Sequence, residues 1–316
     1  MSDKDATPMV PADAQGLARA AQLLRDGGLV AIPTETVYGL AARADDATAV
    51  ARIYEAKERP GFNPLIVHVR DVAQARQFGI LPDRAEVLAK QHWPGPLTLV
   101  VPRREGCGLP DAITAGLPTI ALRVPGHEAA RALLASLDFP LAAPSANRSG
   151  FISPTRADHV LASLDGRIDL VLDGGPTAGG LESTIGAVRA DGWVEELRAG
   201  PIDLAVAGEN HGSGTNDRIE APGQLARHYA PGKPVRLEAE RADPDEFMIG
   251  FGPIGGEVTL STTGDLQEAA ALLYDCLHRG ARASQPRIAV APVPRAGLGR
   301  AINDRLARAA TPADDA

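Results

Sequence analysis

Short apolar runs alternate with segments of helical periodicity along most of the chain. Helix signals include Asp13 before the one-face spacing of Leu17 and Leu24, and Thr155 with Asp158, which resembles a capping box. This alternation predicts an α/β fold, and the last two runs are too close for a helical crossover, so we predict a twisted mixed sheet. The predicted strands of this domain, residues 12–202, are Leu29–Ile32, Leu65–Val69, Leu97–Val101, Thr119–Val124, Leu141–Ala143, Leu170–Leu172, Thr184–Val188 and Val194–Leu197.

The stretch Gly28–Val69 is predicted to form a strand, a polar turn, a helix and a second strand. The helix would begin after the capping pair Asp45–Asp46 and end at Lys57 and Arg59, where Pro60 follows. Cations in the last turn of a helix complement its dipole and need no ligand. Cations at an exposed helix end can equally turn toward an anion, so the pattern leaves both interpretations open.

The periodicity stops near residue 203 and resumes near residue 235. Residues 203–234 include the Gly-, Asn- and Ser-rich run GENHGSGTND and the segment APGQLARHYAP, which predict a linker. Residues 235–310 again combine strand and helix patterns and predict a smaller α/β domain. Its predicted elements are the strands Phe247–Phe251, Val258–Leu260 and Arg287–Val290, the helix Asp265–Arg279 and a closing helix through Arg308.

Composition and charge restrict the classes of function. At 316 residues the chain is long for a single core, so two domains are expected. The formal net charge of −8 argues against a nucleic-acid interface spread over the whole surface. Residues 51–150 nevertheless carry more Lys and Arg than Asp and Glu, which favours a local site for an anion.

The sequence shows no signal for membrane insertion or secretion. No apolar run approaches the roughly 20 residues that span a bilayer, and the start MSDKDATPMV resembles neither a signal peptide nor a transit peptide. Cys107 and Cys276 are far apart and belong to no Cys-x-x-Cys pair, so we expect reduced thiols. A cytoplasmic location without membrane contact is therefore expected.

Familiar catalytic motifs are missing from the sequence. There is no P-loop, and Gly250–Gly255 fits G-x-G-x-x-G but precedes a predicted strand, Glu257–Leu260, instead of the helix that a dinucleotide needs. No motif supplies a nucleophile with its base, and no carboxylate cluster has the spacing of metal ligands. An enzyme of this kind would work by positioning and electrostatics. We expect no protein metal site, with any Mg²⁺ held mainly by substrate phosphates.

Polar side chains recur where predicted strands end. Five such junctions carry His68, Arg123, Arg198, the pair Ser145 and Asn147, and the pair Ser183 and Thr184. Singly, each is explained as well by a structural histidine, an edge charge or a turn former. Together they supply the guanidinium, hydroxyl and amide groups that bind carboxylate and phosphate.

Six motifs, in order, resemble one known family. They are PTETVYGLA, KERPGFNPLIVHV, PGPLTLV, LRVPGH, PSANRSG followed by SPT, and ESTIG. This set is similar to the YrdC-like domain of L-threonylcarbamoyladenylate synthases. The segment APGQLARHYAP and the α/β segment after it resemble the longer, two-domain type, so that the resemblance covers about residues 15–310. It implies a mixed-sheet YrdC-like domain, a linker that is also a lid, and a Rossmann-like C-terminal domain.

The resemblance implies a nucleotidyltransferase reaction. L-Threonine, bicarbonate and ATP would give threonylcarbamoyl-AMP, pyrophosphate and water. A partner tRNA threonylcarbamoyl transferase would then modify the adenosine beside the anticodon, and a weak tRNA contact of this chain is compatible with that role. The amine of threonine would take up CO₂ as a carbamate, whose oxygen attacks the α-phosphorus of ATP. Such chemistry needs positive charge around phosphorus and no protein nucleophile.

The resemblance also implies the site residues. Lys57 and Arg59 would act electrostatically on the ATP phosphates. Threonine would be held by Thr36, His68, Arg123 and Ser183, with Arg123 pairing the carboxylate bidentately. ATP would be held by Lys57, Arg59, Asn63, Thr119, Ser145, Asn147, Thr155, Arg198, His228 and Tyr229. The last two lie in the linker and would fold over the pocket to exclude water from the carbamate.

Two departures from the family pattern stand out. Ala221 and Gln224-Leu225 replace an expected Ser and an expected Met-basic-aromatic sequence at the start of the lid. Gly186 replaces an apolar residue in the strand after Ser183. The first departure concerns the contacts of the lid, and the second loosens a strand without removing its hydroxyl groups.

Two other functions are compatible with part of the pattern. Isolated domains that resemble residues 15–200 present a concave basic face, which suggests an RNA-binding module, although the acidic total argues against it as the primary role. A carbamoyl-transfer domain is the second alternative. No zinc-finger or acylphosphatase-like segment accompanies the domain here, which counts against that alternative.

Overall fold

The fold is seen in a computed structural model, which describes residues 6–189, 191–204, 220–223 and 228–312. These ranges form two sheets with surrounding helices and a short 3₁₀ helix at Asp111–Ile113. The strands are β1 (Met9–Pro11), β2 (Val30–Ile32), β3 (Gly39–Arg43), β4 (Ile66–His68), β5 (Leu97–Pro102), β6 (Thr119–Arg123), β7 (Leu141–Ala142), β8 (Leu170–Asp173), β9 (Thr184–Val188), β10 (Val194–Arg198), β11 (Val235–Arg236), β12 (Glu246–Gly250), β13 (Val258–Thr259) and β14 (Arg287–Val290). The helices are α1 (Ala14–Arg25), α2 (Ala47–Lys57), α3 (Val72–Phe78), α4 (Asp83–His92), α5 (Glu128–Ala135), α6 (Ala157–Leu164), α7 (Leu266–Arg282) and α8 (Leu298–Ala310).

The strands from β1 to β10 form one mixed sheet in the order β1-β8-β2-β3-β7-β4-β6-β5-β9-β10. The pairs β4 with β6 and β5 with β9 are parallel, whereas β9 and β10 are antiparallel, as their short connection requires. The prediction of an α/β fold with a mixed sheet is confirmed.

The stretch Gly28–Val69 is not a simple strand–helix–strand unit, and that prediction is wrong. The strand β3 lies between the polar turn and α2, and it pairs antiparallel with β2. As a result, β3 and β7 separate β2 from β4 in the sheet. The segment GLAAR gave no strand signal because Gly and Ala are poor strand formers and because burial on both faces removes the alternation.

Side-chain caps fix the starts of several helices, and α2 is the one that matters for the site. Asp46 Oδ1 accepts a hydrogen bond from the N–H of Thr48 at 2.8 Å. α6 has no side-chain cap, and the N–H of Thr155 donates to His159 Nδ1 at 3.4 Å instead. The predicted capping box of Thr155 with Asp158 is therefore wrong, because the His159 ring takes the place of the expected carboxylate.

Both faces of the first sheet are covered by helices. One core contains Ile53 of α2 and Leu88 of α4, and the opposite core contains Leu24 of α1 and Leu133 of α5. Neighbouring residues of β2 alternate between the two cores, as expected for a buried strand. The strand ends are consequently held rigidly and can position side chains at one edge.

The C-terminal part forms a smaller parallel sheet in the order β11-β14-β12-β13, with α7 and α8 packed beside it. The motif at Gly250–Gly255 leads into β13, as predicted, so it opens no helix that could bind a pyrophosphate. No helix within the described ranges is both long enough and apolar enough to cross a membrane.

The two parts of the chain share a hydrophobic core. The cluster around Leu273 of α7 and Leu306 of α8 also contains Val37, Ile152 and Leu181 from the first part. This shared core attaches the smaller sheet to the same edge at which the strands β4 and β6 end. The domain limits 12–202, 203–234 and 235–310 stay a prediction, because residues 205–219 and 224–227 of the linker lie outside the described ranges.

Candidate active site

A cavity opens where loops of the first sheet meet the described residues of the linker. The turn after β2, the end of α2, the ends of β4, β6 and β10, and the loop after β7 all contribute to its walls. The lining residues are Thr34, Thr36, Val37, Gly39, Arg59, Ile66, His68, Arg123, Ala143, Pro144, Ser145, Glu182, Arg198, Pro222, Gly223, His228 and Tyr229.

The polar turn after β2 is held by its own hydroxyl groups. Thr34 Oγ1 donates to the carbonyl of Val37 at 2.6 Å and lies 2.9 Å from Thr36 Oγ1. Arg123 Nη2 donates to Thr36 Oγ1 at 3.0 Å, which ties this turn to the end of β6. The hydroxyl of Thr36 therefore lies beside the guanidinium at the cavity wall.

His68 and Arg123 are neighbours because β4 and β6 run parallel with residue 68 opposite residue 123. Arg123 Nη2 also donates to Glu35 Oε1 at 2.6 Å. Burial works to raise the pKa of Glu35, but the charge and hydrogen bond of Arg123 and the backbone hydrogen bonds together outweigh burial and lower this pKa below its usual value. Arg123, which was predicted to bind a ligand carboxylate, thus already binds a carboxylate of the protein.

His68 is neutral at physiological pH. Burial, followed by the charge of Arg123, lowers the pKa of His68 to about 3. Its Nδ1 atom is buried and has no hydrogen-bond partner among the described residues. A neutral imidazole with an unused ring nitrogen can hold a polar ligand without adding charge to the site.

A left-handed residue at the end of α2 turns Arg59 inward. Glu58 has a φ of 53°, a conformation that is uncommon for residues other than glycine. Arg59 is only 8% exposed, and its Nη2 donates to Asn63 Oδ1 at 2.6 Å and to the carbonyl of Pro64 at 2.7 Å. The expectation of an exposed helix end is therefore wrong. Burial lowers the pKa of Arg59 to about 10, so it remains a cation at neutral pH.

Lys57 lies behind the cavity wall. It is 1% exposed, and its Nζ donates to the carbonyl of Ser145 at 2.5 Å and to the carbonyl of Asn147. Burial, followed by the charge of Arg59, lowers the pKa of Lys57 well below its usual value. Through its two hydrogen bonds, Lys57 Nζ fixes the backbone of the loop that follows β7.

The strands β9 and β10 bring Ser183 and Arg198 together. Arg198 Nε donates to the carbonyl of Ser183, and Nη2 donates to its Oγ, each at 3.0 Å. Ser183 Oγ is also 2.7 Å from Thr98 Oγ1 of β5. Burial lowers the pKa of Arg198, yet the guanidinium still lines the cavity. Arg198 is therefore fixed in place by hydrogen bonds, and it forms no ion pair with a carboxylate in the described ranges.

Two residues of the linker lie against the cavity. His228 and Tyr229 are both buried and line the cavity together with Gly223. Burial is the main cause that lowers the pKa of His228 to about 3. The linker thus contributes an uncharged imidazole and a phenol ring to a wall that is otherwise rich in arginine.

The structure brings most of the predicted site residues to one place. Those that line the cavity are Thr36, Arg59, His68, Arg123, Ser145, Arg198, His228 and Tyr229. Those that are hydrogen-bonded to a lining residue are Lys57, Asn63, Asn147 and Ser183. Thr119 shares a face of β6 with Arg123 but lies near the other end of the strand, about 13 Å away by strand geometry. Thr155 precedes α6 and does not line the cavity.

Two carboxylates at the site were not predicted. Glu35 pairs with Arg123, and Glu182 lines the cavity. Each directly precedes a predicted hydroxyl residue, Thr36 or Ser183, within the motifs PTETVYGLA and ESTIG. Attention to the residue before each hydroxyl would have found them, but the sequence does not show which cation either carboxylate meets.

Unused polar atoms and unpaired cations make the site suitable for an anionic, hydrogen-bonding ligand. Asn63 Nδ2 and Asn147 Oδ1 are buried without partners among the described residues, like the ring nitrogen of His68. The same ranges contain no group of three or more His, Cys, Asp or Glu side chains that could hold a metal ion. The arrangement can therefore bind and orient a charged ligand, and it has the donors to stabilise negative charge.

Two family models match the chain. The model described as telomere recombination, which represents the Sua5, YciO and YrdC proteins, matches residues 22–200. The model of the C-terminal domain of threonylcarbamoyl-AMP synthase matches residues 193–311. Between them, the two models cover nearly the whole chain.

Named relatives are similar over almost the full length. The threonylcarbamoyl-AMP synthase of Bacillus subtilis is 40% identical over 97% of this chain and 96% of its own. The synthase of Pyrococcus abyssi is also 40% identical, over 92% of each chain. The crystal structure of P. abyssi Sua5 complexed with L-threonine has a TM-score of 0.85 and 36% identity over 96% of both chains. The chain therefore belongs to the threonylcarbamoyl-AMP synthases, a family of enzymes, in the form that joins a YrdC-like domain to a C-terminal domain.

Proposed function

We propose that this protein makes L-threonylcarbamoyl-AMP from L-threonine, bicarbonate and ATP, with release of pyrophosphate. The main support is the cavity, where Arg59, Arg123 and Arg198 converge on one space beside the neutral His68. An anionic amino-acid carbamate and a nucleotide triphosphate are ligands that such a set of donors suits. A further support is the similarity to the P. abyssi structure that was solved with L-threonine.

In the proposed complex, Arg123 binds the carboxylate of threonine. The guanidinium now donates to Glu35 at 2.6 Å and to the hydroxyl of Thr36, so its fork already faces oxygen acceptors. The threonine carboxylate takes the place of Glu35 or shares the fork with it. Ser183 and the neutral His68 are positioned by their own strands to bind the remaining polar groups of threonine.

In the same complex, Arg59 and Arg198 bind the nucleotide. Both guanidinium groups are buried and keep their charge at neutral pH without a carboxylate partner among the described residues. Asn63 orients Arg59, and Lys57 holds the loop that carries Ser145. Phosphoryl transfer depends mainly on positioning and on stabilisation of charge, which these groups supply.

The proposed reaction needs no protein nucleophile. The amine of threonine combines with bicarbonate to form a carbamate and water. A carbamate oxygen then attacks the α-phosphorus of ATP, the bond to the β-phosphate oxygen breaks, and pyrophosphate leaves with that electron pair. Positive charge at Arg59 and Arg198 stabilises the negative charge that spreads over the phosphoryl oxygens.

Mg²⁺ belongs to the nucleotide substrate in this proposal. The residues around the cavity do not fit a protein-held cation, because they are rich in arginine and the described ranges contain no cluster of metal ligands.

The role proposed for the linker is to exclude water. His228 and Tyr229 cover the cavity, which protects a hydrolysable carbamate and a mixed anhydride.

Pyrophosphate release in the presence of each substrate combination tests this function. The full-length protein is incubated with ATP, labelled bicarbonate and either L-threonine or another amino acid. We expect pyrophosphate and a labelled adenylate only with L-threonine. Pyrophosphate release that does not depend on threonine would contradict the proposed function, and labelled product from carbamoyl phosphate would favour a carbamoyl-transfer domain.

We further propose that the product is passed to a tRNA threonylcarbamoyl transferase, which modifies the adenosine beside the anticodon. A weak direct contact with tRNA belongs to the same proposal. The reduced state of the two cysteines, both free in the structure, is compatible with a cytoplasmic location. Co-purification of the transferase activity, or transfer of label to tRNA in a two-enzyme mixture, would test this step.

A further inference from the structure

Glu182 is a buried carboxylate at the meeting point of the cavity and the C-terminal domain. It is 5% exposed, lines the cavity, and directly precedes Ser183. Ser153 Oγ donates to Glu182 Oε1 at 2.6 Å. A buried carboxylate is costly unless a cation and hydrogen-bond donors satisfy it, so its remaining partners indicate its role.

Those remaining partners come from the C-terminal domain. Arg305 of α8 donates through Nε to Glu182 Oε2 at 3.0 Å, and the hydroxyl of Tyr274 on α7 donates to the same oxygen at 2.9 Å. Arg305 is completely buried. Burial works to raise the pKa of Glu182, but the charges of Arg305 and Arg198 and the hydrogen bonds from Ser153 and Arg305 together outweigh burial, and the pKa falls to about 2. The carboxylate is therefore charged and paired across the domain junction.

Arg305 holds both ends of the segment that carries the site residues of β9 and β10. Its Nε binds Glu182, the residue before Ser183, and its Nη2 donates to the carbonyl of Ala199, the residue after Arg198, at 2.8 Å. Ser183 and Arg198 are themselves hydrogen-bonded to each other. One guanidinium of the second domain thus brackets this pair on both sides.

The same guanidinium contacts the linker. The central carbon of the Arg305 guanidinium lies 5.4 Å from the ring centroid of Tyr229, and the ring of Tyr274 stacks on Tyr229 at 5.5 Å. Tyr229 is 1% exposed and lines the cavity. Arg305 is consequently in contact with the floor of the cavity and with the linker residue that covers it.

A second interdomain ion pair provides a contrast. Arg300, also on α8, donates through Nη2 to Glu196 Oε2 at 2.9 Å, and Glu196 lies on β10 two residues before Arg198. The Arg300 side chain is 44% exposed, and neither partner lines the cavity. This pair joins the domains without contacting any site residue. The pair of Arg305 with Glu182 also joins the domains, but it contacts site residues as well.

We propose that Arg305 is a positioning residue of the active site, through which the C-terminal domain sets Ser183, Arg198 and Tyr229 for substrate binding. It acts through Glu182 and the carbonyl of Ala199 and touches no substrate itself. The proposed synthase function is the basis of this assignment. The guanidinium reaches Glu182 through Nε and Ala199 through Nη2, whereas lysine offers a single nitrogen in place of these two, so Arg305→Lys keeps the charge but not the fork geometry.

The experiment compares four full-length proteins: wild type, Arg305→Lys, Tyr274→Phe and the control Arg300→Lys. For each, the KM values for threonine and ATP and kcat are measured from pyrophosphate release, the Kd values of both ligands by calorimetry, and folding by thermal unfolding. We expect Arg305→Lys to raise KM and Kd for threonine or ATP about tenfold, since a hydrogen bond to a charged group contributes about that much. Tyr274→Phe should raise them severalfold, and Arg300→Lys should leave them unchanged.

Several outcomes would overturn the positioning role. Unchanged KM and Kd in Arg305→Lys would do so, and so would an equal rise in Arg300→Lys, which would indicate general domain adhesion. If Arg305→Lys does not fold, Tyr274→Phe decides, because it removes one hydroxyl and keeps the ring; unchanged binding there also overturns the role. A wild type that releases no threonine-dependent pyrophosphate would refute the synthase function and not the positioning role. In that case, a tenfold weaker Kd for ATP in Arg305→Lys would still support the positioning role.

Discussion

The cavity and the junction between the two domains both bury cations, but they satisfy the charge differently. At the junction, Arg305 meets Glu182 at 3.0 Å and Asp304 at 2.6 Å. At the cavity, Arg59 and Arg198 meet carbonyl groups, an amide oxygen and a hydroxyl. Within the described ranges, neither of these cavity arginines forms an ion pair.

The difference separates a cation that the protein itself neutralises, which we call structural charge, from cations that can bind an anionic ligand, which we call functional charge. Burial works to lower the pKa of Arg305, but Tyr229, Glu182, Tyr274 and Asp304 together outweigh burial and raise this pKa well above the usual value. Burial lowers the pKa of Arg59 and of Arg198, and it outweighs the opposing contributions of Tyr54 at Arg59 and of Tyr229 and Glu182 at Arg198. An unpaired buried cation costs free energy in the folded protein, which a bound anion can recover. The cavity is therefore prepared for an anionic ligand, whereas the junction is already neutralised.

The largest expected effect is on stability, at the junction. Arg305→Met leaves the carboxylate of Glu182 buried without its cation, so we expect the free energy of unfolding to fall by about 3–5 kcal/mol. Urea unfolding followed by circular dichroism measures this change. The double variant Glu182→Gln with Arg305→Met should recover most of the loss, because it buries no charge. A loss below about 1 kcal/mol in Arg305→Met would contradict the contrast between junction and cavity.

The next largest effect is on activity, at the cavity. Arg59→Met should lower kcat/KM for threonylcarbamoyl-AMP formation about 100- to 1000-fold, because in the proposed mechanism Arg59 is a donor that stabilises phosphoryl charge. Its free energy of unfolding should change by less than about 1 kcal/mol, since the lost hydrogen bonds are offset by the removal of an unpaired buried cation.

A matched control for Arg59→Met lies on α2, the helix that ends two residues before Arg59. Arg52 of α2 pairs with Asp169 at 2.7 Å, is about one-third exposed, and does not line the cavity. Arg52→Met should therefore retain full activity. Comparable losses of activity in both variants would mean that α2, and not the charge of Arg59, is the sensitive feature.

Histidines extend the comparison to pH. Burial, followed by the neighbouring His159, lowers the pKa of His278 at the junction to about 3, and the cavity residue His228 shows a similar shift. Between pH 6.5 and about 3 the unfolded chain binds a proton that the folded His278 does not, so stability falls with falling pH. The contribution is at most about 1.4 kcal/mol per pH unit.

His278→Gln tests this titration. Its free energy of unfolding should fall less steeply than that of the wild type between pH 7 and pH 5, as measured by urea titrations at intermediate pH values. If the two slopes coincide, the His278 ring does not titrate differently in the folded and unfolded states. The same titrations with ligand-saturated protein would offer a comparison for His228, because a ligand bound in the cavity would shield this ring from solvent.

The smallest effect concerns α2, the helix that precedes Arg59. Asp46 Oδ1 caps α2 through the N–H of Thr48 at 2.8 Å and that of Ala49 at 3.2 Å. Asp46→Ala should cost about 1 kcal/mol of stability. Activity should stay at the wild-type value, because hydrogen bonds at the other end of the helix fix Lys57 to the loop after β7 and Arg59 to Asn63 and Pro64. A parallel loss of activity would show that the cavity wall depends on the helix start.

Much of the fold was predictable because its signals are local. The runs Leu97–Val101 and Arg287–Val290 match β5 and β14 to within one residue, and the predicted helix Asp265–Arg279 corresponds to α7, Leu266–Arg282. The strand β3 was missed because Gly and Ala carry little strand signal, and the short strands β1 and β11 were also missed. Local periodicity detects a buried strand only where apolar residues of high strand propensity form a run.

The inventory of the site was also predictable, but its contacts were not. Thr36, His68 and Arg123 were identified from motifs and lie together at the cavity. Arg59 was expected to be exposed, yet the left-handed Glu58 turns it inward. One residue with an unusual φ decides this difference, and no pattern of apolar and polar positions encodes it.

The sequence by itself determined the α/β class, the mixed sheet and the set of hydroxyl, amide and guanidinium groups at the strand ends. These properties follow from periodicity and residue type, which act over a few neighbouring positions. Only the tertiary structure decided which cations are paired. Arg305 reaches Glu182 across 123 positions of the chain, while Arg59 and Arg198 remain without a carboxylate in the described ranges. Burial and ion pairing depend on packing between distant elements, so the difference between structural and functional charge appears only in the folded molecule.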